Sequence, residues 1–224
     1  MLIPGLKTSN RFLGFNLLIA FNYLTLVLMK TQNRIRLLGL ATLVGMPLVA
    51  FVIAWIFSLE FPLIDWFIPE NFLLQLAVGV LYGVLTAVMA SWITERNFMS
   101  SVRNKYHNLL SSFKLTWFDA FFISICAGIG EEILFRYALQ YLVGIWIAAL
   151  IFVAVHGYLN PKDWRISVYG LFMVVASAGF GYMAEKLGML SAITAHAAVD
   201  VYLLAQLKLE DKKTTFESIE YDYD

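Results

Sequence analysis

The sequence is short of charged residues, and this shortage is the first guide to its class. Asp, Glu, Lys and Arg make up 14% of the 224 residues, whereas a typical soluble domain has about 25%. The 16 acidic and 16 basic side chains cancel to a formal net charge of zero. No global attraction to nucleic acid follows from such a balance, so we expect no nucleic-acid partner. The shortage of charge points to lipid surroundings instead.

Cysteine is also scarce, because Cys126 is the only one in the chain. An intrachain disulfide and a cysteine-based metal site are therefore excluded. Cys126 lies inside an apolar run, where we expect it to be a small buried packing residue. No fixed-period repeat and no Gly/Ser linker divides the sequence. We expect a single membrane-embedded domain over residues 1–207, followed by a polar, disordered tail over residues 208–224.

What the sequence has in abundance is apolar stretches long enough to cross a bilayer. Hydrophobic residues make up 60% of the chain, and about 20 apolar residues in a helix cross a hydrocarbon core about 30 Å thick. An earlier run, Phe12 to Met29, contains two asparagines and could either cross or lie along the interface. We therefore predict an all-α, polytopic membrane helix bundle of six to eight transmembrane or re-entrant helices. The clear candidates are Leu37 to Phe57, Phe72 to Ile93, Trp117 to Val143, the short Gly144 to Tyr158, Ile166 to Ala184, and Met189 to Leu207.

The loops between these spans alternate in charge, which predicts their orientation. Basic residues cluster at 30–36 and again at 95–116, whereas the loop between the first two spans is acidic. The positive-inside rule places both basic segments in the cytoplasm. We expect a multi-pass membrane protein, surrounded by membrane lipids.

Ionisable residues inside the apolar spans are unusual enough to predict a function. A charge at the bilayer centre costs at least about 2.5–3.5 kcal/mol on insertion scales. Nevertheless, the third span contains Glu131, Glu132 and Arg136, the fourth ends with His156, and the last contains His196 and Asp200.

The helical spacing of these residues predicts how they pair. Glu132 and Arg136 are four residues apart and can form an ion pair on one helical face. Glu131 is rotated from Glu132 by about 100°, so it cannot share Arg136 equally and is the candidate general base. His196 and Asp200 are also four residues apart, and Asp200 could accept a hydrogen bond from the imidazole. The structural alternative is that both glutamates pair with Arg136 and simply hold helices together.

Three kinds of chemistry fit this set of side chains. Glu131 could take a proton from a water that His156 orients, while His196 stabilises the oxyanion formed on a scissile carbonyl. Two histidines and a glutamate could instead bind zinc, although the sequence has no HExxH motif. A proton-coupled carrier is the third possibility. It would require broken helices, and Gly128, Gly130, Gly179 and Gly181 are more typical of tight helix packing.

Three short motifs resemble those of the CAAX protease and bacteriocin-processing family. EEILFR at 131–136, FVAVH at 152–156 and HAAVD at 196–200 are similar to EExxxR, FxxxH and HxxxN or HxxxD. The family includes type II CAAX prenyl endopeptidases and bacterial proteins linked to bacteriocin maturation and self-immunity. The resemblance, over roughly Trp117 to Leu207, implies an intramembrane glutamate protease without a cofactor or metal. On this chain it implies Glu131 as the base with His156, Arg136 supporting the glutamate pair, and His196 with Asp200 near the oxyanion.

The last motif departs from the prenyl endopeptidases, which have Asn where this chain has Asp200. An Asn amide can donate to an oxyanion, whereas an ionised Asp can only accept. Asp200 is therefore either protonated or orients His196. The resemblance implies a peptide, or a lipid-anchored or membrane-tethered protein, as the substrate. A non-proteolytic immunity or scaffold role is the alternative.

Overall fold

The computed structural model describes residues 31–220, apart from residue 61 and residues 101, 105, 106, 108–112 and 114. The apolar run Phe12 to Met29 lies outside the described residues. Across the described part, the regular secondary structure is helical and contains no strand. The predicted all-α membrane helix bundle is confirmed.

Each of the six predicted spans corresponds to helical structure. The helices are α1 (Thr31–Phe57), α2 (Leu63–Phe67), α3 (Phe72–Thr94), α4 (Trp117–Glu132), α5 (Gln140–Val143), α6 (Ile145–Val155), α7 (Trp164–Lys186) and α8 (Met189–Glu220). A short 3₁₀ turn follows α3, at Asn97–Met99. A π-helical segment, Ile133–Leu139, joins α4 to α5, so that Trp117 to Val143 form one continuous helical rod.

Among the residues that the structure describes, four helices are long and apolar enough to cross a membrane, judged by length and composition. They are Gln32–Phe57, Phe72–Thr94, Trp164–Lys186 and Met189–Glu210. Large apolar side chains cover the outside of α1 and α3. Two of them, Trp55 and Leu73, are each 76% exposed. Surfaces of this kind are stable against lipid tails and costly in water. The protein is therefore an integral membrane protein.

Helix α6 is shorter than a span. It has 11 residues and is therefore about 16 Å long, roughly half the hydrocarbon thickness. Gly144 and Gly157 flank it with φ angles of 79° and 78°, a region that glycine occupies without strain. The fourth predicted span, Gly144 to Tyr158, therefore does not cross by itself, because a glycine turn stops the helix at each end. His156 follows the last residue of this half-length helix.

The neighbours of α8 approach it closely through glycines. A Cβ atom added at Gly83 of α3 or at Gly128 of α4 would meet the α8 backbone, at the carbonyls of Ala195 and Ile193 respectively. Within the rod and α7, Gly130 likewise faces the backbone of α1, and Gly179 and Gly181 face the side chains of Tyr82 and Gln140. The prediction that these glycines serve tight packing is confirmed. This packing brings α8 against the part of the rod that contains the two glutamates.

Helix α8 continues beyond Leu207 to Glu220, into the segment for which the sequence predicted a polar, disordered tail. The extension is held at its start, where the Lys208 ammonium donates to the Leu115 carbonyl and lies 5.3 Å from the centre of the Trp117 ring. Two residues further, Glu210 lies 3.9 Å from His107. These contacts favour continued helix where polarity alone had indicated disorder.

Candidate functional site

The fold brings all six predicted site residues together where α4, α6 and α8 meet. Glu131 and Glu132 end α4 and face different neighbours, as the helical rotation predicted. Glu131 points to His156 at the end of α6, and Glu132 points to His196 on α8. Only Glu132 pairs with Arg136, so the alternative in which both glutamates share that cation does not describe the structure.

The closed half of the site is here called the inner layer and consists of Glu132, Arg136, Ser177 and His196. Arg136 donates from Nε to Glu132 Oε2 at 2.6 Å and from Nη2 to Ser177 Oγ at 2.8 Å. His196 Nδ1 lies 2.8 Å from Glu132 Oε1. The side chains of Glu132 and Arg136 are fully buried and that of His196 is 8% exposed. A buried ion pair is tolerated only when its remaining polar atoms also have hydrogen-bond partners. The contacts with Ser177 and His196 supply most of these partners.

Two aromatic rings enclose the inner layer. The Arg136 guanidinium lies 5.3 Å from the centre of the Phe152 ring and 5.9 Å from that of Phe180. His196 stacks on Phe180 and meets Phe152 edge-on. Cation–π contacts of this kind strengthen where water is excluded. The rings shield the inner layer from water and hold the Arg136 and His196 side chains in position.

The accessible half, here called the outer layer, consists of Glu131, His156 and Asp200. Glu131 Oε2 lies 3.3 Å from His156 Nε2, and the three side chains are 14%, 31% and 32% exposed. His156 Nδ1 is 2.7 Å from the carbonyl oxygen of Phe152. Because a carbonyl can only accept, Nδ1 carries a proton and Nε2 is the nitrogen that faces Glu131. Glu131 and His156 can therefore exchange a proton directly or through one water.

Asp200 is not the hydrogen-bond partner that the spacing predicted for His196. Its Oδ2 is 3.6 Å from His196 Nε2, which is too long for a hydrogen bond. Glu132 accepts from Nδ1 on the opposite side of the ring and already fixes its orientation. Glu132 enters from a second helix and fixes the ring through Nδ1, and in that orientation Asp200 lies beyond hydrogen-bond distance of Nε2. His196 Nε2 thus faces the outer layer.

Two polar atoms in the cluster are buried without a hydrogen bond to any described residue, namely Glu131 Oε2 and Arg136 Nη1. The close approach of His156 to Glu131 is misaligned for a hydrogen bond, so that oxygen keeps its accepting capacity. Within the described residues, no group of three His, Cys, Asp or Glu side chains has an arrangement that could hold a metal ion.

Sequence reasoning missed Ser177, Phe180 and Tyr158 as parts of the site. Ser177 and Phe180 lie on α7, which contributes no recognisable motif, and they reach the site only through tertiary packing. The ring of Tyr158 is nearly parallel to that of His156, with 6.2 Å between their centres. Phe152 belongs to the FVAVH motif, and its place one helical turn before His156 could have identified it.

Fold and site together define an integral membrane protein with a polar, partly accessible cluster inside a helix bundle. Residues 113–202, which include every site residue, match the model of the family described as type II CAAX prenyl endopeptidase Rce1-like. Over this segment the chain is similar to that family, and the resemblance inferred from three motifs is confirmed. At the level of the family, the match supports a protease of the CAAX type.

A curated relative is an uncharacterized protein, YpbD, of Bacillus subtilis (strain 168). It is 37% identical over 92 residues, which cover 40% of this chain and 46% of the relative. The chain thus matches just under half the length of that protein. No solved structure matches this chain.

Proposed function

We propose that this protein is an intramembrane endopeptidase that uses water activated by Glu131 to hydrolyse a peptide bond in a membrane-tethered or peptide substrate. The observation that carries the proposal is the contact between Glu131 and His156 at the accessible edge of an otherwise closed polar cluster. A carboxylate with free accepting capacity beside an imidazole is the pair that general-base activation of water requires.

The attack step follows from the geometry of the outer layer. A water that donates one hydrogen bond to Glu131 Oε2 and is aligned by His156 loses that proton to the carboxylate as its oxygen attacks the scissile carbonyl. The carbonyl π bond breaks and its electron pair moves to the oxygen. The intermediate is a tetrahedral oxyanion, and no covalent bond to the enzyme forms.

His196 is placed to stabilise this oxyanion. Its Nδ1 is committed to Glu132, so Nε2 can donate only when the ring carries a second proton. In that state the imidazolium lies between the carboxylates of Glu132 and Asp200, with Nε2 facing the outer layer. Donors fixed in advance at such a position contribute about 10²–10³ in rate.

The intermediate collapses when the amide C–N bond breaks. The proton taken by Glu131 passes to the leaving nitrogen, directly or through His156, and both groups return to their starting protonation. The immediate products are a carboxylic acid, which keeps the second proton of the water, and an amine. Transfer of that proton to the amine gives a carboxylate and an ammonium, so the atoms and charges of water and peptide balance. Arg136 does not touch substrate in this scheme and acts by holding Glu132.

The test is hydrolysis by the purified protein in lipid nanodiscs. The probes are a prenylated CAAX peptide, suggested by the family name, and an acylated peptide without that motif. We expect a cleaved product with the wild type and none with Glu131→Ala or His156→Ala. Glu185→Ala, which changes an exposed acid outside the cluster, should cleave like the wild type. Equal turnover by all four proteins would disprove the proposal.

A metal chelator distinguishes the water mechanism from a zinc mechanism. Because a carboxylate serves as the base, treatment with the chelator should leave the rate unchanged. Loss of hydrolysis that zinc restores would replace the glutamate mechanism with a metal-dependent one. Proton flux across vesicles without any cleaved product would identify a carrier.

A further inference from the structure

A cavity of about 190 Å³ lies at the end of the bundle where α3 ends and α7 begins. Its deeper lining is apolar and includes the fully buried Met99 and the buried Ile166 and Leu207. Its other lining residues are Ser91, Thr94, Glu95, Val102, Arg103, His107, Tyr158, Tyr169, Leu203, Gln206 and Glu210.

The cavity adjoins the outer layer through two elements. Tyr158 lines it and also lies parallel to the His156 ring. On α8, Leu203 follows Asp200 by three residues and therefore lies on nearly the same helical face. A peptide positioned with its scissile carbonyl beside Glu131 and His156 would place a neighbouring side chain at this opening.

One wall of the cavity is polar and organised. Ser91 Oγ donates to Gln206 Oε1 at 2.6 Å, and Gln206 Nε2 donates to Glu95 Oε1 at 3.4 Å. This chain of hydrogen bonds joins α3 to α8 and holds the wall open beside the apolar floor. Arg103 and Glu210 add charge at the rim. An apolar floor with a charged, hydrogen-bonding rim suits a peptide residue that buries an apolar side chain in the cavity while its polar backbone remains at the rim.

We propose that this cavity is a specificity pocket that binds the apolar side chain of a substrate residue next to the scissile bond. The proposal rests on the proposed endopeptidase function. Sites for drug-sized ligands measure about 300–1,000 Å³, so the cavity fits one Leu, Met or Phe side chain better than a whole lipid chain. Its charged rim also disfavours a lipid chain as the occupant.

The first experiment measures specificity with peptides that carry Ala, Leu or Phe at positions flanking the scissile bond. The wild type should prefer Leu or Phe over Ala at one position by about 10- to 100-fold in kcat/KM, as expected for burial of one apolar side chain. Leu203→Trp should abolish that preference through KM, and Leu203→Ala should shift it toward Phe. Leu209→Trp, the same change at an exposed site on the same helix that does not line the cavity, should keep it.

The second experiment detects binding without turnover. A peptide with benzophenone at the preferred position is photo-crosslinked to Glu131→Gln, and the adduct is mapped by mass spectrometry. Adducts on Met99, Ile166 or Leu203 support the pocket. Adducts elsewhere, or adducts there only from a benzophenone-labelled lipid tail, overturn it.

The two experiments separate the pocket from the protease. Cleavage by the wild type with unchanged preference in both Leu203 variants disproves the pocket and leaves the protease standing. Crosslinking in the cavity without any cleavage by the wild type supports the pocket as a peptide-binding site and disproves the endopeptidase.

Discussion

Glu131 and Glu132 are adjacent in sequence and chemically identical, yet they occupy opposite environments. Glu132 belongs to the inner layer, where its two oxygens are committed to Arg136 and His196 at 2.6 and 2.8 Å. Glu131 belongs to the outer layer, where its closest ionisable neighbour is His156 at 3.3 Å. A rotation of about 100° between successive helical residues produces the whole difference.

The difference separates structure from chemistry within one short motif. A closed network in a low-dielectric interior is rigid because each member holds the next. An accessible carboxylate with an unused oxygen can bind and deprotonate water. The inner layer should therefore matter for both folding and activity, whereas the outer layer should matter for activity alone.

The largest effect on activity is expected for Glu131→Gln. The amide keeps the size of the side chain but cannot accept a proton from water, so kcat should fall by about 10²–10⁴. The thermal unfolding temperature of the purified variant in nanodiscs should match that of the wild type, because Glu131 is not the counterion of the buried Arg136. A variant that unfolds at a clearly lower temperature would show that Glu131, like Glu132, stabilises the fold. The proposed difference between the two glutamates would then be wrong.

The matched change Glu132→Gln should act on stability. It leaves the buried Arg136 charge without its counterion, and removing one partner of a buried pair costs about 3–5 kcal/mol. We expect a lower denaturation midpoint together with lost activity.

The control for Glu132→Gln is the double variant with Arg136→Gln, which removes the unpaired charge. Its denaturation midpoint should recover in part, whereas its activity should not. Wild-type stability in the single variant would show that the inner layer does not act as a scaffold.

Sequence reasoning predicted the site wherever local spacing decides the geometry. Glu132 and Arg136 form the expected pair within one helix, and the separate direction of Glu131 follows from the same periodicity. Partners from other helices were found only in part, because Glu131 and His156 were paired through their chemistry and the family resemblance, whereas the contacts of Glu132 with His196 and of Arg136 with Ser177 were missed. Nothing near Ser177 distinguishes it from other small residues in an apolar helix, and its contact with Arg136 exists only because α7 packs beside the rod.

The fold, like the site, was predictable from the sequence where a local property decides it. The long spans were predictable because hydrophobic length is a local property. The boundary predicted between Val143 and Gly144 agrees with the helix end there, whereas the end at Gly157 was not assigned. Glycine in an apolar stretch is compatible with both tight packing and a turn. At Gly144 and Gly157 the structure has positive φ angles and no close neighbour at the Cβ position, so these glycines end α6 and do not serve tight packing.

A smaller effect is expected for Ser177→Ala, which removes the acceptor for Arg136 Nη2. A buried donor left unsatisfied costs about 1–3 kcal/mol, so the denaturation midpoint should fall by less than in Glu132→Gln. Ser124→Ala is the control, because Ser124 is equally buried but donates to Ala120 within its own helix. Equal destabilisation by the two changes would mean that the Arg136 contact adds nothing to the inner layer.

The smallest effect is expected for Asp200→Asn, which tests where the boundary between the layers lies. Glu132 already orients His196 through Nδ1, and Asp200 lies 3.6 Å from Nε2 without a hydrogen bond. An Asn of the same shape can still donate a hydrogen bond toward an oxyanion. We therefore expect kcat/KM within about tenfold of the wild type, the scale of a single hydrogen bond. A loss beyond about 100-fold with unchanged thermal stability would instead make Asp200 a charged orienter of His196, and the inner layer would then extend to include it.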